Sequence, residues 1–147
     1  MGRKNWFEDF GKLSFAIHKN MRIYLTEGIN PAISIPHIYL LGFIKVYGPS
    51  IVTDISNFLG ITLSGVTSLV NKLVNLKLVN RERSEEDRRI VKISLTEEGE
   101  RILDIVQGNR MKLFEKCFYN ITDEEMSFFF NVQKKVADNL LALNHHV

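Results

Sequence analysis

The sequence is poor in the features that mark secreted and membrane proteins. A single cysteine, Cys117, excludes an internal disulfide and fits a reducing compartment. No apolar run approaches the roughly 18 residues that a membrane-spanning helix requires. The opening stretch MGRKNWFEDFGK lacks the apolar segment of a secretory signal. We therefore expect a cytoplasmic protein that makes no contact with a membrane.

Motifs of catalysis and metal binding are also missing. The sequence contains no nucleophile elbow, no glycine-rich phosphate loop and no H-E-x-x-H spacing. None of the histidines (His18, His37, His145 and His146) has a second histidine or a cysteine at helical ligand spacing. The sequence therefore predicts a protein that is not an enzyme and that has neither a metal site nor a cofactor.

Acidic residues are absent from one long region. Between Ile55 and Arg81 there is no aspartate or glutamate, whereas Lys72 and Lys77 are basic. A neutral-to-basic segment of this kind is a mild indication of an anionic partner. Charge alone still favours an ordinary solvated surface. The order of residues within this region is needed to decide between such a surface and a binding surface for an anionic partner.

Apolar residues spaced by three and four predict the first helices. A long amphipathic helix is expected over 5–27 and a second over 36–47. A short third helix is expected to begin with Ser50 as its cap and to stop at Gly60.

The stretch GITLSGVTSLVNKLVNLK predicts a fourth helix with an unusual polar face. Thr62 is a good N-cap, and Ile61 and Val66 form a hydrophobic staple around it. The expected buried stripe is Val66, Leu69, Val70, Leu73 and Leu76. The other face carries small hydroxyl and amide residues, one lysine and no carboxylate, whereas an ordinary solvated face carries opposite charges. Small donors and acceptors suit close approach to phosphates and base edges, so we predict DNA contacts from Thr62, Ser64, Gly65, Thr67, Ser68, Asn71 and Lys72. A merely polar helix is the alternative.

Two alternating segments, LVNRER and IVKISL, follow this helix and are joined by SEEDRR. They predict a β-hairpin with its charges at the tip. A helix-turn-helix followed by a charged hairpin is a winged helix, and arginines at the tip have the shape to enter a minor groove.

Residues 34–104 resemble the winged helix of the MarR-type bacterial transcriptional regulators. The D-R-R of the hairpin (87–89) and the L-T-E-E-G of 95–99 are the most specific parts of the resemblance. It implies a homodimer that pairs through its terminal helices, with the fourth helix in the major groove of double-stranded DNA. It also implies DNA contacts from the wing, for which we predict Arg81, Arg83, Asp87, Arg88 and Arg89. Lys77 stands where the family commonly has a glycine.

The charges of the wing cancel. Arg81, Arg83, Arg88 and Arg89 are balanced by Glu82, Glu85, Glu86 and Asp87. Bulk attraction to DNA therefore cannot be the purpose of the hairpin. The resemblance places Arg89 in the minor groove with Asp87 beside it, and we expect the carboxylate to orient the guanidinium by paired hydrogen bonds.

The last third of the sequence predicts two more helices. Thr96 caps one that runs to about Tyr119, and a capping box of Thr122 and Glu125 opens another over 123–143. The apolar set of the last helix is too wide for one exposed side, so we expect a partner subunit to cover it; an intrachain core is the alternative. The predicted fold is mainly α with a small β wing. Its expected domains are an N-terminal dimerisation helix in 1–33, a winged helix-turn-helix lobe in 34–96 and C-terminal dimerisation helices in 97–147.

The resemblance finally implies a ligand-responsive regulator, in our interpretation a repressor. Its effector would be a small lipophilic or aromatic compound in a cleft near the helix ends, for which we predict Phe15, His18, His37, Tyr39 and Phe43 as lining. Two other functions stay open: a redox switch through Cys117, which the apolar pattern around it predicts to be buried and inert, and a winged helix used only for protein contacts.

Overall fold

The computed structural model describes residues 3–85 and 87–144. Predictions that involve Glu86, His145 and His146 lie outside the described residues. Six α-helices and two β-strands are formed within that part of the chain, which confirms a mainly α fold with a small β wing. In chain order they are α1 (Arg3–Leu25), α2 (Ile35–Tyr47), α3 (Val52–Leu59), α4 (Leu63–Asn75), β1 (Val79–Arg83), β2 (Val91–Leu95), α5 (Glu97–Phe118) and α6 (Asp123–Asn144).

The predicted start of α3 was wrong. Its N-cap is Ile51 and not Ser50. Ser50 instead forms an antiparallel bridge with Ile93 of β2, through backbone hydrogen bonds of 3.0 and 2.8 Å. Its hydroxyl donates to the carbonyl oxygen of Gly48 at 2.8 Å. Ser50 therefore ties the start of the helix-turn-helix to the wing.

The described residues form two compact units, the first ending at Leu113 and the second beginning at Phe114. In the first unit, α2, α3 and α4 pack together, and the β1–β2 hairpin contacts α2 and α4. Their shared apolar core contains the fully buried side chains Leu40, Leu41, Ile55, Val66, Val70, Leu73, Val79 and Ile93. In the second unit, Phe118 at the end of α5 stacks on Phe114 at 4.7 Å and approaches Phe129 of α6 at 6.1 Å between ring centroids.

The turn between α4 and β1 is held by the start of α5. Lys77 has a left-handed backbone with φ 59°, which costs a non-glycine residue on the order of 1 kcal/mol. The hydroxyl of Thr96 donates to the carbonyl oxygen of Lys77 at 2.7 Å and accepts from the N–H of Gly99 at 3.0 Å. Thr96 therefore caps α5, as predicted, and also fixes the strained turn.

Gly99 lies directly against this turn. A β-carbon at this position would overlap the carbonyl oxygen of Leu78, which is backbone and cannot rotate away. Gly108, on the same helix, has open space around its α-carbon within its own chain. The glycine that ends the L-T-E-E-G segment is thus required by the close approach of the turn at Leu78 to α5.

We expect opposite stability effects from alanine at these two glycines. Gly99→Ala should lower the free energy of unfolding by about 1–3 kcal/mol, because the junction must shift to admit the methyl group. Gly108→Ala is the matched control and should raise it by roughly 0.5–1 kcal/mol through helix propensity. Urea unfolding at one protein concentration measures both. Equal effects of the two substitutions would contradict the close approach at Gly99.

Candidate nucleic-acid interface

The rotation of α4 is fixed by its buried stripe. Val66, Val70 and Leu73 are each 0% exposed, as the period predicted. Leu69 and Leu76 are half-buried against the same core. With this side inward, the opposite side faces solvent and carries the predicted contacts Ser64, Thr67, Ser68, Asn71 and Lys72.

The start of α4 is built around Thr62. Its side-chain oxygen accepts from the N–H of Gly65 at 3.2 Å, which confirms the predicted N-cap. It also shares a hydrogen bond of 3.1 Å with the hydroxyl of Ser64. A β-carbon at Gly65 would come within 3.3 Å of the capping oxygen. Gly65 therefore leaves room for the cap, a structural reason besides the close approach to DNA that the sequence suggested.

Hydrogen bonds within the protein limit the donors and acceptors that Thr67 and Asn71 can offer to a ligand. The hydroxyl of Thr67 donates to the carbonyl oxygen of Leu63 at 2.8 Å, so its hydrogen is used within the helix and its oxygen remains as an acceptor. Asn71 accepts through Oδ1 from Nη2 of Arg81 at 2.5 Å. This contact joins α4 directly to β1.

The tip of the wing is organised by Asp87. Strand pairing ends with Arg83 opposite Val91, and the N–H of Ser84 then donates to the carbonyl oxygen of Ile90 at 2.9 Å. Inside this loop, Oδ1 of Asp87 accepts from the backbone N–H of Arg89 at 2.9 Å. The sequence predicted a contact from this carboxylate to the guanidinium. In the structure, the recorded contact is to the backbone amide of the same arginine, so Asp87 shapes the turn that carries Arg89.

All the wing arginines predicted to touch DNA are exposed. Arg81 and Arg83 project from β1, and Arg88 and Arg89 lie in the loop at the tip. The Arg81–Asn71 contact links the exposed face of β1 to the outward side of α4.

The residues predicted to line an effector cleft differ in their exposure to solvent. Phe43 is buried and packs on Tyr47 and Phe58, with ring centroids at 4.7 Å in both pairs. Phe15, His18 and Tyr39 are exposed, and His18 donates through Nδ1 to the carbonyl oxygen of Ser14 at 2.7 Å.

A cavity of about 290 Å³ lies between the end of α1 and the start of α2. Sequence reasoning missed its lining because these residues belong to a loop and two helix ends, where no apolar period is visible. The lining consists of Arg22, Ile23, Thr26, Pro31, Ile33, Ser34 and Ile35.

His37 comes two positions after Ile35, the last residue of this lining, and is only 5% exposed. Its Nδ1 accepts from the backbone N–H of Ser34 at 3.1 Å and lies 2.7 Å from the Ser34 hydroxyl. The neutral ring therefore carries its hydrogen on Nε2, which is buried and has no hydrogen-bond partner among the described residues. Burial, and secondly the charge of Lys72, lower the pKa of His37 below its ordinary value, so the ring is neutral at physiological pH.

Cys117 was predicted to be buried, and this prediction was wrong: it is an exposed free thiol. The apolar neighbours that suggested burial, Phe114 and Phe118, stack on each other along one side of α5, and Cys117 lies off that side. Across residues 3–85 and 87–144, no helix is long and apolar enough to span a membrane. The same part of the chain contains no group of three or more side chains that could hold a metal ion.

A helix-turn-helix whose inner stripe packs into the core, followed by a two-stranded wing, defines a winged-helix DNA-binding protein. The family model described as MarR family matches residues 28–90. The chain is 32% identical over 98 residues to the HTH-type transcriptional regulator YsmB of Bacillus subtilis, covering 67% of each protein. The protein therefore belongs to the MarR family of DNA-binding transcriptional regulators, a family of regulators and not of enzymes.

Solved structures agree on the fold. Streptococcus pneumoniae FabT in complex with DNA superposes with a TM-score of 0.81 at 23% identity, covering 93% of this chain and 99% of FabT. Staphylococcus aureus MarR in complex with salicylate and kanamycin superposes with a TM-score of 0.77 at 23% identity, covering 95% and 92%. At this level of identity, the likeness establishes the winged-helix fold.

Two substitutions of Asp87 distinguish the effect of its charge on DNA binding from the effect of its hydrogen bond. Asp87→Ala should weaken binding to a selected operator by about 1 kcal/mol, the usual net contribution of one hydrogen bond, because the turn under Arg89 loosens. Asp87→Asn removes the negative charge but keeps an oxygen for the Arg89 N–H, so it should bind at least as well as the parent. Titrations at fixed salt measure both.

The Asp87→Ala and Arg89→Ala changes should also be non-additive, with the double variant losing less than the sum of the two. If the carboxylate acts only by repelling phosphates, Asp87→Ala will bind more tightly than the parent. That result would contradict a role for Asp87 in shaping the wing tip.

Proposed function

We propose that the protein is a homodimeric repressor that binds a pseudo-palindromic operator and is released by a small amphiphilic effector. The observation that carries the DNA-binding part is the outward side of α4, which combines small hydrogen-bonding residues with Lys72 and has no carboxylate. Such a surface can approach phosphates and base edges without like-charge repulsion. In this proposal α4 occupies the major groove and Arg89 enters the adjacent minor groove, where the negative potential favours a guanidinium.

The homodimer is proposed from the apolar side chains that a single chain leaves in water. Helix α1 exposes large side chains over its whole length, with Phe7 81% and Phe10 69% exposed. Helix α6 does the same, with Phe128 71% and Leu143 64% exposed. Monomeric soluble proteins rarely expose contiguous apolar surface on this scale. A second copy related by a two-fold axis would cover both helices.

A two-fold dimer constrains the DNA site. The two copies of α4 would enter half-sites about one helical turn, roughly 10 base pairs, apart. Repression is the simplest consequence, because a dimer covering this length of a promoter obstructs the polymerase sterically and needs no contact with it.

The effector is proposed from the cavity between α1 and α2. Arg22 offers a positive charge at the cavity, and Ile23, Ile33 and Ile35 provide apolar walls. A small organic acid with an aromatic or aliphatic body fits both features, and the salicylate bound to S. aureus MarR supports this class. The side chain of His37 is not part of the cavity wall. His37 stays a predicted contributor, as do Phe15, His18, Tyr39 and Phe43.

Such a ligand must bind the DNA-competent and released conformations with different affinity, because only that difference can shift the equilibrium. A panel of aromatic acids and fatty acyl compounds tests the effector by its influence on operator affinity. If the whole panel leaves the affinity unchanged, the ligand-responsive part of the proposal falls while the DNA-binding part stands.

The DNA-binding proposal is tested by footprinting and salt titration of Lys72→Ala. The parent should protect a site with two-fold symmetry. Lys72→Ala should weaken binding to all sequences alike and reduce the slope of log K against log salt by about one, since one phosphate contact is lost.

Lys12, exposed on α1, is the matched control: Lys12→Ala removes the same charge away from the proposed interface and should leave the slope unchanged. An asymmetric footprint, or equal effects of the two lysine substitutions, would count against α4 as the helix that binds the major groove.

A further inference from the structure

We infer that Arg81 fixes the side chain of Asn71 as a hydrogen-bond donor, so that this pair selects guanine over adenine in the operator. The inference rests on the proposed placement of α4 in the major groove and adds the base that one position of the helix prefers. It assigns different roles to two residues that the sequence predicted simply as DNA contacts. Asn71 would touch the base, and Arg81 would act as its positioning residue.

The orientation of the Asn71 amide follows from the chemistry of its partner. Nη2 of Arg81 lies 2.5 Å from Oδ1 of Asn71. A guanidinium has donors only, so the amide atom that faces it must be the carbonyl oxygen. The nitrogen Nδ2, with its two hydrogens, is then turned to the other side of the amide. Both residues are exposed on the outward side of the lobe, where a groove would meet them.

The pair therefore presents hydrogens and positive charge. An unconstrained asparagine reads adenine by accepting from N6 and donating to N7. At Asn71, the second lone pair of Oδ1 lies beside the guanidinium, so the amino hydrogens of adenine would approach a positive charge. A hydrogen bond from a charged donor is also stronger than one between neutral groups. Asn71 Oδ1 is therefore expected to keep its bond to Arg81 and not to exchange it for a bond from adenine N6.

Guanine is the base that complements this arrangement. Its major-groove edge carries two acceptors, O6 and N7, and no donor. Thymine offers one acceptor, O4, while cytosine offers only the N4 donor. The order expected at this position is guanine first, thymine and adenine weaker, and cytosine last. One bidentate contact corresponds to discrimination of about tenfold.

The test is selection of binding sites from a random double-stranded library with four proteins: the parent, Asn71→Ala, Arg81→Met and Arg83→Met. Asn71→Ala identifies the position that Asn71 reads, because preference should be lost at that base pair of each half-site. The parent should select guanine there.

Arg81→Met keeps the length of the side chain but releases the amide. The preference at that same position should then shift towards adenine by about tenfold. Arg83, two residues further along β1, provides the matched control, and Arg83→Met should retain guanine. A thermal melt of each variant, together with enrichment of the remaining operator positions, shows that the fold and the other contacts are kept.

Three results would overturn the inference while leaving the proposed function in place. They are adenine at this position with the parent protein, no position that responds to Asn71→Ala, and an Arg81→Met protein that retains guanine with uniformly lower affinity. The last result would make Arg81 a phosphate contact. Failure of the parent to enrich any sequence would instead overturn the proposed function, and this inference with it.

Discussion

Burial of one apolar stripe on α4 determines how the rest of this protein can work. Val66, Val70 and Leu73 enter the core completely, and a helix has only one rotation that buries such a stripe. The polar residues on the other face of the helix are then turned outward as a set. Their chemistry is informative because they have no packing role: small hydroxyls, an amide and a lysine, with no carboxylate in the sequence from Ile55 to Arg81.

Each end of the β-hairpin contacts a neighbouring element of the first compact unit. Thr96 holds the left-handed turn at Lys77, and Gly99 permits the backbone at Leu78 to approach α5. On the other side of the hairpin, Ser50 pairs with Ile93. The start of the hairpin and its second strand are therefore each held by contacts within the first compact unit.

Much of this arrangement could be predicted from sequence because it depends on local patterns. The period of α4, the cap at Thr62 and the alternation of the two strands each follow from neighbours a few residues apart. Ser50 has the chemistry of a helix cap, but its pairing with Ile93 depends on a strand distant in the sequence. The contact between Arg81 and Asn71 likewise joins two elements, and no local pattern encodes it.

Features of the site that depend on side-chain direction do not follow from local sequence patterns. Asp87 was expected to hold the guanidinium of Arg89, yet an aspartate two residues before a backbone amide has a competing local partner, and the structure records that bond. The cavity near Arg22 is lined from a loop and two helix ends, where helical period gives no signal. Neighbouring aromatic residues suggested a buried Cys117. Those rings instead stack on each other along one side of α5, and Cys117 is exposed.

A two-fold DNA site requires a second copy of the chain, since one copy presents one α4 and leaves the apolar surfaces of α1 and α6 in water. Multi-angle light scattering of the free protein at micromolar concentration tests this most directly. We predict a single species at twice the 17.0 kDa of the chain. A stable, soluble particle of 17.0 kDa would contradict both the two-fold operator and the dimeric repressor.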